Sequence, residues 1–464
     1  MSTSRNWKPL EDGIAGELVL PGSPDYETVR RPAIARFHDV RPQAVVRCAE
    51  PADVAETIRF ASRSGVPAVP RSGGHCFAGH SSTGGVVVDV TPMGSVSVSA
   101  GTATIGAGAR LGAVYDALER HDLTIPAGCG PTVGIAGLTL GGGLGILGRS
   151  NGLTADSLLA AQVVLADGRV VDCDDHHDQE LFWALRGAGA GNFGVVTSLV
   201  FRTLRAPAAT SFRLVWPHTQ GAAVLDAWQG WAPDAPEELA ASLLLTAAAD
   251  PERPPVVNVF GTMLASEADT TTLLEELVAR AGAEPTSTVL GHRSFRATKR
   301  HLAEHGPGEE RPGGHPFSKS EFFPRPLPTA AVAALVEHLG AGRVAGQSRE
   351  LDFTPWGGAY NRVPADATAF VHRDARFLLK HGAVVDPDAT GAQRRAARRW
   401  LAESWALVHP WGSGGAYQNF PDPDLDDWAH AYYGDNLDRL VRVKARYDPG
   451  DFFRFPQSLQ GGRE

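Results

Sequence analysis

The strongest constraint on the fold is a segment, residues 128–145, in which eight of the eighteen residues are glycine. Each glycine inside a packed helix costs roughly 1 kcal/mol relative to alanine, so a regular helix is not expected here. A solvated linker is not expected either, because linkers carry Ser, Lys and Glu. Apolar residues lie between the glycines instead: Val133, Ile135, Leu138, Leu140 and Leu144. The pattern predicts a backbone wrapped closely around a large, flat ligand.

A second loop, residues 69–79, reads VPRSGGHCFAG and centres on His75. Its paired glycines let the backbone approach a ligand and point several N–H groups in one direction, an arrangement that cradles phosphate. A neutral imidazole is a good nucleophile near pH 7. Without the rest of the chain, however, a histidine after two glycines is more often an ordinary turn residue.

Composition excludes several classes of protein. The chain has 464 residues, which predicts two domains, and its net charge of −9 without a basic stripe argues against nucleic acid as a partner. The four cysteines show no CxxC spacing, so neither a zinc site nor a disulfide framework is expected. No apolar run is long enough for a membrane span, and the N-terminus lacks the apolar core of a signal peptide, so we predict a cytoplasmic protein.

Strands and helices alternate through the first 200 residues. Residues 44–66 read as strand, loop and helix, and an Asp-Gly pair at 167–168 joins two apolar runs as a hairpin. A second glycine cluster at 187–194 is not a dinucleotide-binding motif, because a helical stretch precedes it and a strand follows it. Residues 1–33 are expected to be irregular.

The middle of the chain has a different character. Five strands are predicted, beginning near residues 211, 243, 256, 349 and 376, together with three amphipathic helices. Residues 304–317 are polar and rich in Gly and Pro, which predicts a mobile surface loop.

Taken together, these stretches resemble the FAD-linked oxidase family that includes berberine bridge enzyme, glucooligosaccharide oxidase and 6-hydroxynicotine oxidase. The resemblance lies in RSGGH (71–75), PTVGIAGLTLGGGLG (131–145), GLTADSLLAAQVVLADG (152–168), LFWALRGAGAGNFGVVT (181–197), AYQNFPD (416–422) and YYGDNLDRLVRVKARYDPGDFF (432–453). It implies an α+β fold with an FAD-binding domain of the vanillyl-alcohol oxidase type at residues 34–207. A substrate domain, an antiparallel sheet flanked by helices, would follow at 208–415, and residues 416–460 would return to the FAD domain.

The resemblance also implies which residues hold the cofactor. His75 would bond covalently to the flavin 8α-methyl carbon. Many relatives add a second bond from a cysteine immediately before PTVG, but here Gly130 holds that place and Cys129 lies one residue earlier. A second bond at Cys129 therefore stays open, and Cys76 is a weaker candidate. The other implied FAD-binding residues are Arg71, Ser72, Gly73, Gly74, Thr132, Val133, Gly137, Gly142, Gly143, Asp156, Gly191, Asn192, Gly194, Val195 and Asn419.

Tyr417, in AYQNF, matches the tyrosine that relatives place over the flavin as a base. Removing a hydride from a CH–OH carbon is easier when the hydroxyl proton leaves in the same step. A phenol has a pKa near ~10, so it needs a nearby cation or hydrogen-bond donor at neutral pH. Arg362, His372 and Arg373 are candidates for that group. In plant relatives a catalytic glutamate is expected about where Arg362 stands, which counts against their amine-type cyclisation here.

The expected reaction is oxidation of a hydroxyl on a sugar, a glycoside or another secondary metabolite, with hydride passing to flavin N5 and dioxygen reduced to hydrogen peroxide. The alternatives are an oxidative cyclase or amine oxidase acting on an alkaloid or polyketide, and a flavoprotein that binds a ligand without turnover. The expected partners are a small-molecule substrate and dioxygen, and the expected state is a monomer or a homodimer. The identity of the substrate is left open.

Overall fold

A computed structural model describes residues 5–305 and 314–461 of the chain. Its strands are β1 Glu17–Val19, β2 Ala44–Arg47, β3 Ala68–Arg71, β4 Val86–Asp89, β5 Val96–Ser99, β6 Thr102–Gly106, β7 Leu123–Thr124, β8 Leu158–Val164, β9 Val170–Asp174, β10 Val195–Arg202, β11 Leu204–Arg205, β12 Ala209–Pro217, β13 Leu239–Ala247, β14 Val256–Met263, β15 Ser287–Arg293, β16 His315–Phe323, β17 Gln347–Pro355 and β18 Phe377–Val385.

The helices are α1 Lys8–Asp12, α2 Tyr26–Val29, α3 Pro51–Arg63, α4 Leu111–Glu119, α5 Ile135–Leu140, α6 Gly148–Asn151, α7 Gln179–Ala188, α8 Gly221–Gln229, α9 Glu267–Ala281, α10 Phe295–His305, α11 Thr329–Gly340, α12 Ala359–Arg362, α13 Gly391–Ala406, α14 Trp428–Tyr433 and α15 Leu437–Tyr447. Within these described residues no helix is both long enough and apolar enough to cross a bilayer.

Two sheets form the first half of the chain. One has the order β1-β2-β4-β3, with β4 parallel to β2 and to β3, and the other has the antiparallel order β5-β6-β10-β8-β9. Helix α3 begins at Pro51, where the Asp53 carboxylate accepts from the Glu50 N–H at 3.3 Å, and it buries Val54, Ile58 and Ala61. The apolar faces of both sheets and of α3, α4 and α7 share one core.

A seven-stranded antiparallel sheet, in the order β15-β12-β14-β13-β17-β18-β16, forms the middle of the chain. Successive side chains point to opposite faces of a strand, and Leu351, Phe353 and Leu379 point into a core beneath α8, α9, α11 and α13. The opposite face carries the alternate residues Glu350, Asp352 and Lys380. This is the predicted antiparallel sheet with helices on one side, and the α+β class is confirmed.

The C-terminal segment packs on the first half of the chain, and its residues 416–422 also contact strand β16 of the middle sheet, where Lys319 pairs with Asp422 at 2.5 Å. Leu440, Val443 and Leu459 belong to the same core as α3 and α4. Lys444 Nζ is fully buried, and it donates to Asp448 Oδ2 at 2.6 Å and to the Asn192 carbonyl at 2.7 Å. The return of the chain therefore carries residues 416–422 back to the glycine-rich loops. The exact domain bounds stay a prediction.

Two local predictions were wrong, and a third is tested only at its ends. The glycine-rich segment contains a short helix, Ile135–Leu140, because its glycines cluster at the two ends and only Gly137 lies inside. The first 33 residues contain two short helices and a strand that pairs with β2. The loop predicted at 304–317 begins within α10 and ends within β16. Residues 306–313 of that loop lie outside the described residues.

Candidate cofactor and active site

A cavity of about 520 Å³ lies where the glycine-rich loops and the C-terminal segment meet. Its size is within the range of about 300 to 1,000 Å³ that is usual for small-molecule sites. Fourteen of the eighteen residues predicted from sequence line it: Arg71, Ser72, Gly73, Gly74, His75, Cys129, Val133, Gly137, Gly191, Asn192, Gly194, Val195, Tyr417 and Asn419.

His75 follows β3 directly and lies in the cavity wall. Its Nε2 is 3.0 Å from the Thr132 hydroxyl, which fixes the ring against the PTVG turn. Burial, with a smaller contribution from Arg110, lowers the pKa of His75 below its usual value, while the contact with Thr132 opposes this. The imidazole is therefore neutral at pH 7, the form that can act as a nucleophile.

Arg71 lines the cavity, but its guanidinium holds the loop in shape. It donates to the carbonyls of Val29, Arg30 and Ser81 at 3.1, 2.9 and 2.9 Å, and to the Ser82 hydroxyl at 3.1 Å. Because the group is 5% exposed, burial lowers its pKa to about 10. Arg71 thus ties the loop before His75 to the N-terminal segment.

The loop at residues 69–79 and the glycine-rich segment at residues 128–145 pack against each other through their backbones. A Cβ on Gly73 would lie 2.3 Å from the Gly134 nitrogen, and a Cβ on Gly134 would lie 2.4 Å from the Gly73 nitrogen. Any side chain at either position would push the loops apart, and His75 with them. Gly137 differs, since a Cβ there would meet no atom within 4 Å in the part of the chain that the structure describes. As Gly137 lines the cavity, its missing side chain leaves space for a ligand.

Two buried polar atoms in the cavity wall have no hydrogen-bond partner among residues 5–305 and 314–461, so they are available to a polar ligand. Gln418 donates through Nε2 to the Gly187 carbonyl at 2.7 Å, but its Oε1 accepts no hydrogen bond. The hydroxyl of Ser81 is also buried without a partner. A buried unsatisfied polar atom costs about 1 to 3 kcal/mol, so a ligand with matching groups is favoured here. The glycine cradle and these polar atoms fit the predicted FAD.

The second glycine cluster is held in place by the C-terminal segment. Asn192 Nδ2 donates to the Ala188 carbonyl at 2.8 Å, and its Oδ1 accepts from the Leu459 N–H at 3.0 Å. The Asn192 carbonyl accepts from Lys444 at 2.7 Å. Both polar ends of Asn192 are used within the protein, so this residue shapes the cavity wall.

Tyr417 lies between the PTVG loop and the C-terminal segment, 2% exposed. Its Oη accepts hydrogen bonds from the Gly143 N–H at 3.0 Å and from Asn419 Nδ2 at 2.9 Å. Asn419 also donates to the Leu138 carbonyl at 2.9 Å, which fixes its amide. Two fixed donors therefore point at one phenolic oxygen, an arrangement that stabilises negative charge on that oxygen.

Burial nevertheless dominates the ionisation of Tyr417. It raises the pKa to about 12, while the hydrogen bonds from Asn419, Gly143 and Leu144 lower it. None of the predicted cations supplies a donor to the phenol. Arg362 pairs with Glu237 on the surface, Arg373 pairs with Asp156, and burial lowers the pKa of His372 to about 3. The donors that replace them are a backbone N–H and a side-chain amide.

Four predicted residues do not line the cavity. The first two act on residues that do: Thr132 contacts His75, and the Gly143 N–H binds Tyr417. Gly142 has φ +112°, and a Cβ there would lie 2.9 Å from the Phe370 ring. Asp156 accepts from the Leu153 N–H at 2.9 Å and forms a buried ion pair with Arg373 at 2.7 Å. Asp156 therefore anchors the loop that follows the cavity.

A charged cluster on the middle sheet adjoins the Tyr417 end of the cavity. Lys380 lies 3.0 Å from Glu350 and 3.4 Å from Asp352, and its ammonium is 5.3 Å from the centre of the Phe420 ring. The Phe420 ring lines the cavity and packs 5.0 Å from Tyr417. These groups present hydrogen-bond donors and acceptors on the sheet face that lies away from the helices.

Several cavity residues were not predicted as site residues. Gln418 stands between Tyr417 and Asn419 in the AYQNF motif, so its position in that motif could have identified it as a site residue. The others come from loops or from the tail, where a single side chain gives no pattern: Phe77, His80, Ser81, Tyr432, Tyr433, Phe455 and Gln457.

Comparison with known proteins places this geometry among flavoproteins. Residues 42–174 match the family described as FAD binding domain, and residues 416–460 match the family described as Berberine and berberine like. The uncharacterized FAD-linked oxidoreductase YvdP of Bacillus subtilis is 33% identical over 97% of this chain and 99% of its own. The chitooligosaccharide oxidase of Gibberella zeae is 30% identical over 98% and 91%.

Solved structures agree over nearly the whole chain. Physcomitrella patens BBE-like 1 superposes with a TM-score of 0.88 at 28% identity, covering 99% of this chain and 100% of its own. The glucooligosaccharide oxidase of Acremonium strictum superposes with a TM-score of 0.86 at 25% identity, covering 98% and 100%, and is described with a 6-S-cysteinyl, 8α-N1-histidyl FAD.

Proposed function

Since the chain belongs to the berberine bridge enzyme-like family of FAD-linked oxidoreductases, and FAD is its cofactor, we propose that it oxidises a CH–OH group of a sugar or glycoside. The observation that carries this proposal is the Tyr417 oxygen, held by Gly143 and Asn419 in the wall of the FAD cavity. A base at that position suits removal of a hydroxyl proton. The relatives that include oligosaccharide oxidases support a sugar as substrate.

The residues of the site have separate roles in the proposed reaction. When bound, FAD supplies a two-electron acceptor that takes a hydride from carbon and passes the electrons to dioxygen, which gives hydrogen peroxide. Tyr417 Oη takes the substrate hydroxyl proton, and the donors Gly143 and Asn419 stabilise the charge on that oxygen before the transfer. His75, neutral and oriented by Thr132, holds the cofactor through a covalent bond from its ring.

The charged cluster favours a substrate rich in hydroxyl groups. Lys380, Glu350 and Asp352 offer both donors and acceptors beside Phe420, and an aromatic ring next to polar groups suits a sugar ring. No specific observation favours the oxidative cyclase or amine oxidase. The side chain of Arg362, at the position of the expected plant glutamate, is 57% exposed and paired with Glu237.

The test is a panel of mono- and oligosaccharides and apolar alcohols, added to the purified enzyme without oxygen. Bleaching of the oxidised flavin by a sugar, followed by peroxide and a carbonyl product after air is admitted, supports the proposal. Bleaching with formation of a new ring identifies a cyclase instead. A flavoprotein that never bleaches across the panel binds its ligand without turnover.

A further inference from the structure

The segment that leads to Tyr417 is rich in glycine. Residues 411–417 read WGSGGAY, and Gly414 has φ +77°, a left-handed conformation that glycine adopts without strain. Glycine loses more conformational freedom on folding than any other residue, so this run does not hold its own shape. The place of Tyr417 therefore depends on other parts of the chain that hold the segment before it.

Strand β16, an edge of the middle sheet, holds this segment through its backbone. The Phe322 N–H donates to the Gly415 carbonyl at 2.9 Å, and the Ser413 N–H donates to the Phe322 carbonyl at 2.9 Å. The Tyr417 N–H donates to the Ser320 hydroxyl at 3.2 Å. A strand of the middle sheet thus fixes the backbone of a residue that lines the FAD cavity.

Glu321, between these β16 residues, adds a side-chain contact to the same segment. The residue is 1% exposed, and its Oε1 accepts from the Gly414 N–H at 2.9 Å. The His409 Nδ1 is 3.0 Å from that oxygen and 3.1 Å from Oε2. The His409 ring stacks on Trp405 of α13, with ring centres 3.9 Å apart. One buried carboxylate therefore joins both ends of the loop at residues 409–414.

The loop also packs closely on the Glu321 side chain. A Cβ on Gly412 would lie 2.1 Å from Glu321 Oε1, and a Cβ on Gly415 would lie 2.7 Å from the His372 ring. These contacts leave the glycines no room for a side chain. Removing the carboxylate opens space next to the backbone that leads to Tyr417.

A carboxylate is a costly choice for this buried position. Burial raises the pKa of Glu321, and the hydrogen bonds from His409 and Gly414 oppose this. A buried ion pair is often no more stabilising than apolar residues of similar volume. Global stability alone does not require Glu321, so its two fixed partners point to a role in placing the loop.

We propose that Glu321 is a positioning residue for the reaction, which holds the loop at 409–414 so that the Tyr417 oxygen stays between Gly143 and Asn419. This inference rests on the proposed role of Tyr417 as base, and it adds a residue that lies outside the cavity. Displacing a catalytic group by about 1 Å can cost on the order of 100-fold in rate, because the reacting atoms no longer meet in the productive geometry.

Two variants separate the hydrogen bond from the volume of the side chain. Glu321→Met fills most of the same space without an acceptor, whereas Glu321→Gln keeps an oxygen for the Gly414 N–H. The probe is the sugar that bleaches the parent flavin without oxygen. Glu321→Met should slow the limiting rate of reduction about 10- to 100-fold and change the substrate Kd by less than about twofold, because the base is displaced and the substrate contacts are kept. Glu321→Gln should restore most of the parent rate.

A double variant shows whether Glu321 acts through Tyr417. Tyr417→Phe removes the group that Glu321 positions, so adding Glu321→Met to it should slow reduction no further. A general disturbance of the flavin site would instead slow the double variant by the product of the two single effects. That product would overturn the inference.

Hydrogen exchange tests the contact without turnover. Amides in peptic peptides that span residues 411–417 should exchange slowly in the parent holoenzyme, and one of them should exchange at least about tenfold faster in Glu321→Met, because the Gly414 N–H has lost its acceptor. Glu321→Gln and Tyr417→Phe should both keep the parent exchange. Equal exchange in Glu321→Met and the parent refutes the contact.

The remaining outcomes distinguish this inference from the proposed function. Parent-rate reduction in Glu321→Met, with Tyr417→Phe slow, overturns the inference and leaves the proposed function intact. Parent-rate reduction in Tyr417→Phe overturns the proposed base and the inference together, even where exchange shows that Glu321 holds the loop. If Glu321→Met fails to fold, His409→Phe replaces it, since it keeps the ring on Trp405 and removes the donor to Glu321. Parent rate and parent exchange in His409→Phe would then overturn the inference.

Discussion

Replacing Tyr417 with phenylalanine removes one oxygen and leaves its two donors without their acceptor. The Gly143 N–H is fixed in the backbone and cannot turn away, so its loss of a partner costs about 1 to 3 kcal/mol of folding stability. The Asn419 amide keeps its hydrogen bond to the Leu138 carbonyl, so the loss of its bond to Tyr417 costs less stability. The variant should therefore fold and bind FAD, with a melting temperature only a few degrees lower.

Catalysis should suffer far more than stability. If Tyr417 takes the hydroxyl proton, flavin reduction should slow about 100- to 10,000-fold. The pKa of about 12 also predicts a pH dependence, because only about one phenol in 100,000 is ionised at pH 7. The ionised fraction, and with it the rate of reduction in the parent enzyme, should rise about tenfold per pH unit between roughly pH 7 and pH 10. The variant should show no such rise.

Anaerobic stopped-flow measurement of flavin bleaching isolates this step from reoxidation. Tyr360→Phe is the matched control, because Tyr360 is buried in the same aromatic cluster, loses the same hydroxyl and does not line the cavity. That control should reduce its flavin at nearly the parent rate. Equal rates for Tyr417→Phe and its parent across this pH range would refute the role of Tyr417 as base.

Further predictions concern the cofactor and stability. His75→Ala should leave flavin off the tryptic peptide 72–110, which contains residue 75, as mass spectrometry will show. The same variant should lower the flavin potential and the turnover; a flavin still on that peptide would contradict the linkage. Gly137→Leu should fold yet lose most of its FAD by filling open space in the cavity, whereas Gly137→Ala should retain it, as absorbance per protein will show. Asp156→Asn should lower the free energy of unfolding by about 3 to 5 kcal/mol, because it leaves a buried guanidinium unpaired. Burial lowers the pKa values of His372 and His381 to about 3, so both stay neutral when folded and bind protons once unfolded. Stability should thus be intact above pH 6.5 and fall by up to about 1.4 kcal/mol per histidine per pH unit as the pH drops from about 6.5 toward 3, and a flat profile between pH 7 and 5 in urea unfolding would contradict this.

The ligand loops were predictable because their signal is local. A run of glycines, or two glycines before a histidine, specifies a tight backbone by itself, and the structure brings these loops together at one cavity. The family resemblance then named the cofactor, and FAD is confirmed. Individual roles within the site stay predictions for experiment.

The supporting contacts were not predictable, since they join distant parts of the chain. Gly143 and Tyr417 are 274 residues apart, and Asp156 and Arg373 are 217 apart. A periodic pattern in the sequence indicates local structure, and it does not identify a contact between residues so far apart. The candidate partners of Tyr417 were chosen for their charge, whereas the fold supplies an uncharged N–H and an amide.

Two strands of the middle sheet were not predicted, β15 and β16, and they are its two edges. An edge strand has one neighbour, and much of β15 is exposed on both faces, so it lacks the alternation that marks a half-buried strand. Strand β16 begins in a stretch rich in Gly and Pro, which masked its start. The five central strands each have a neighbouring strand on both sides, and these are the strands that the sequence predicted.

The return of the C-terminal segment has a consequence for biosynthesis. Tyr417 and Asn419, and the Lys444 and Leu459 groups that hold Asn192, are made after the whole middle sheet, yet they complete a cavity begun by the first 200 residues. Before residues 416–460 have been synthesised, the N-terminal loops form only an open groove for the cofactor. The cavity is therefore complete only after residues 417–459 have been synthesised and have packed on the first half of the chain.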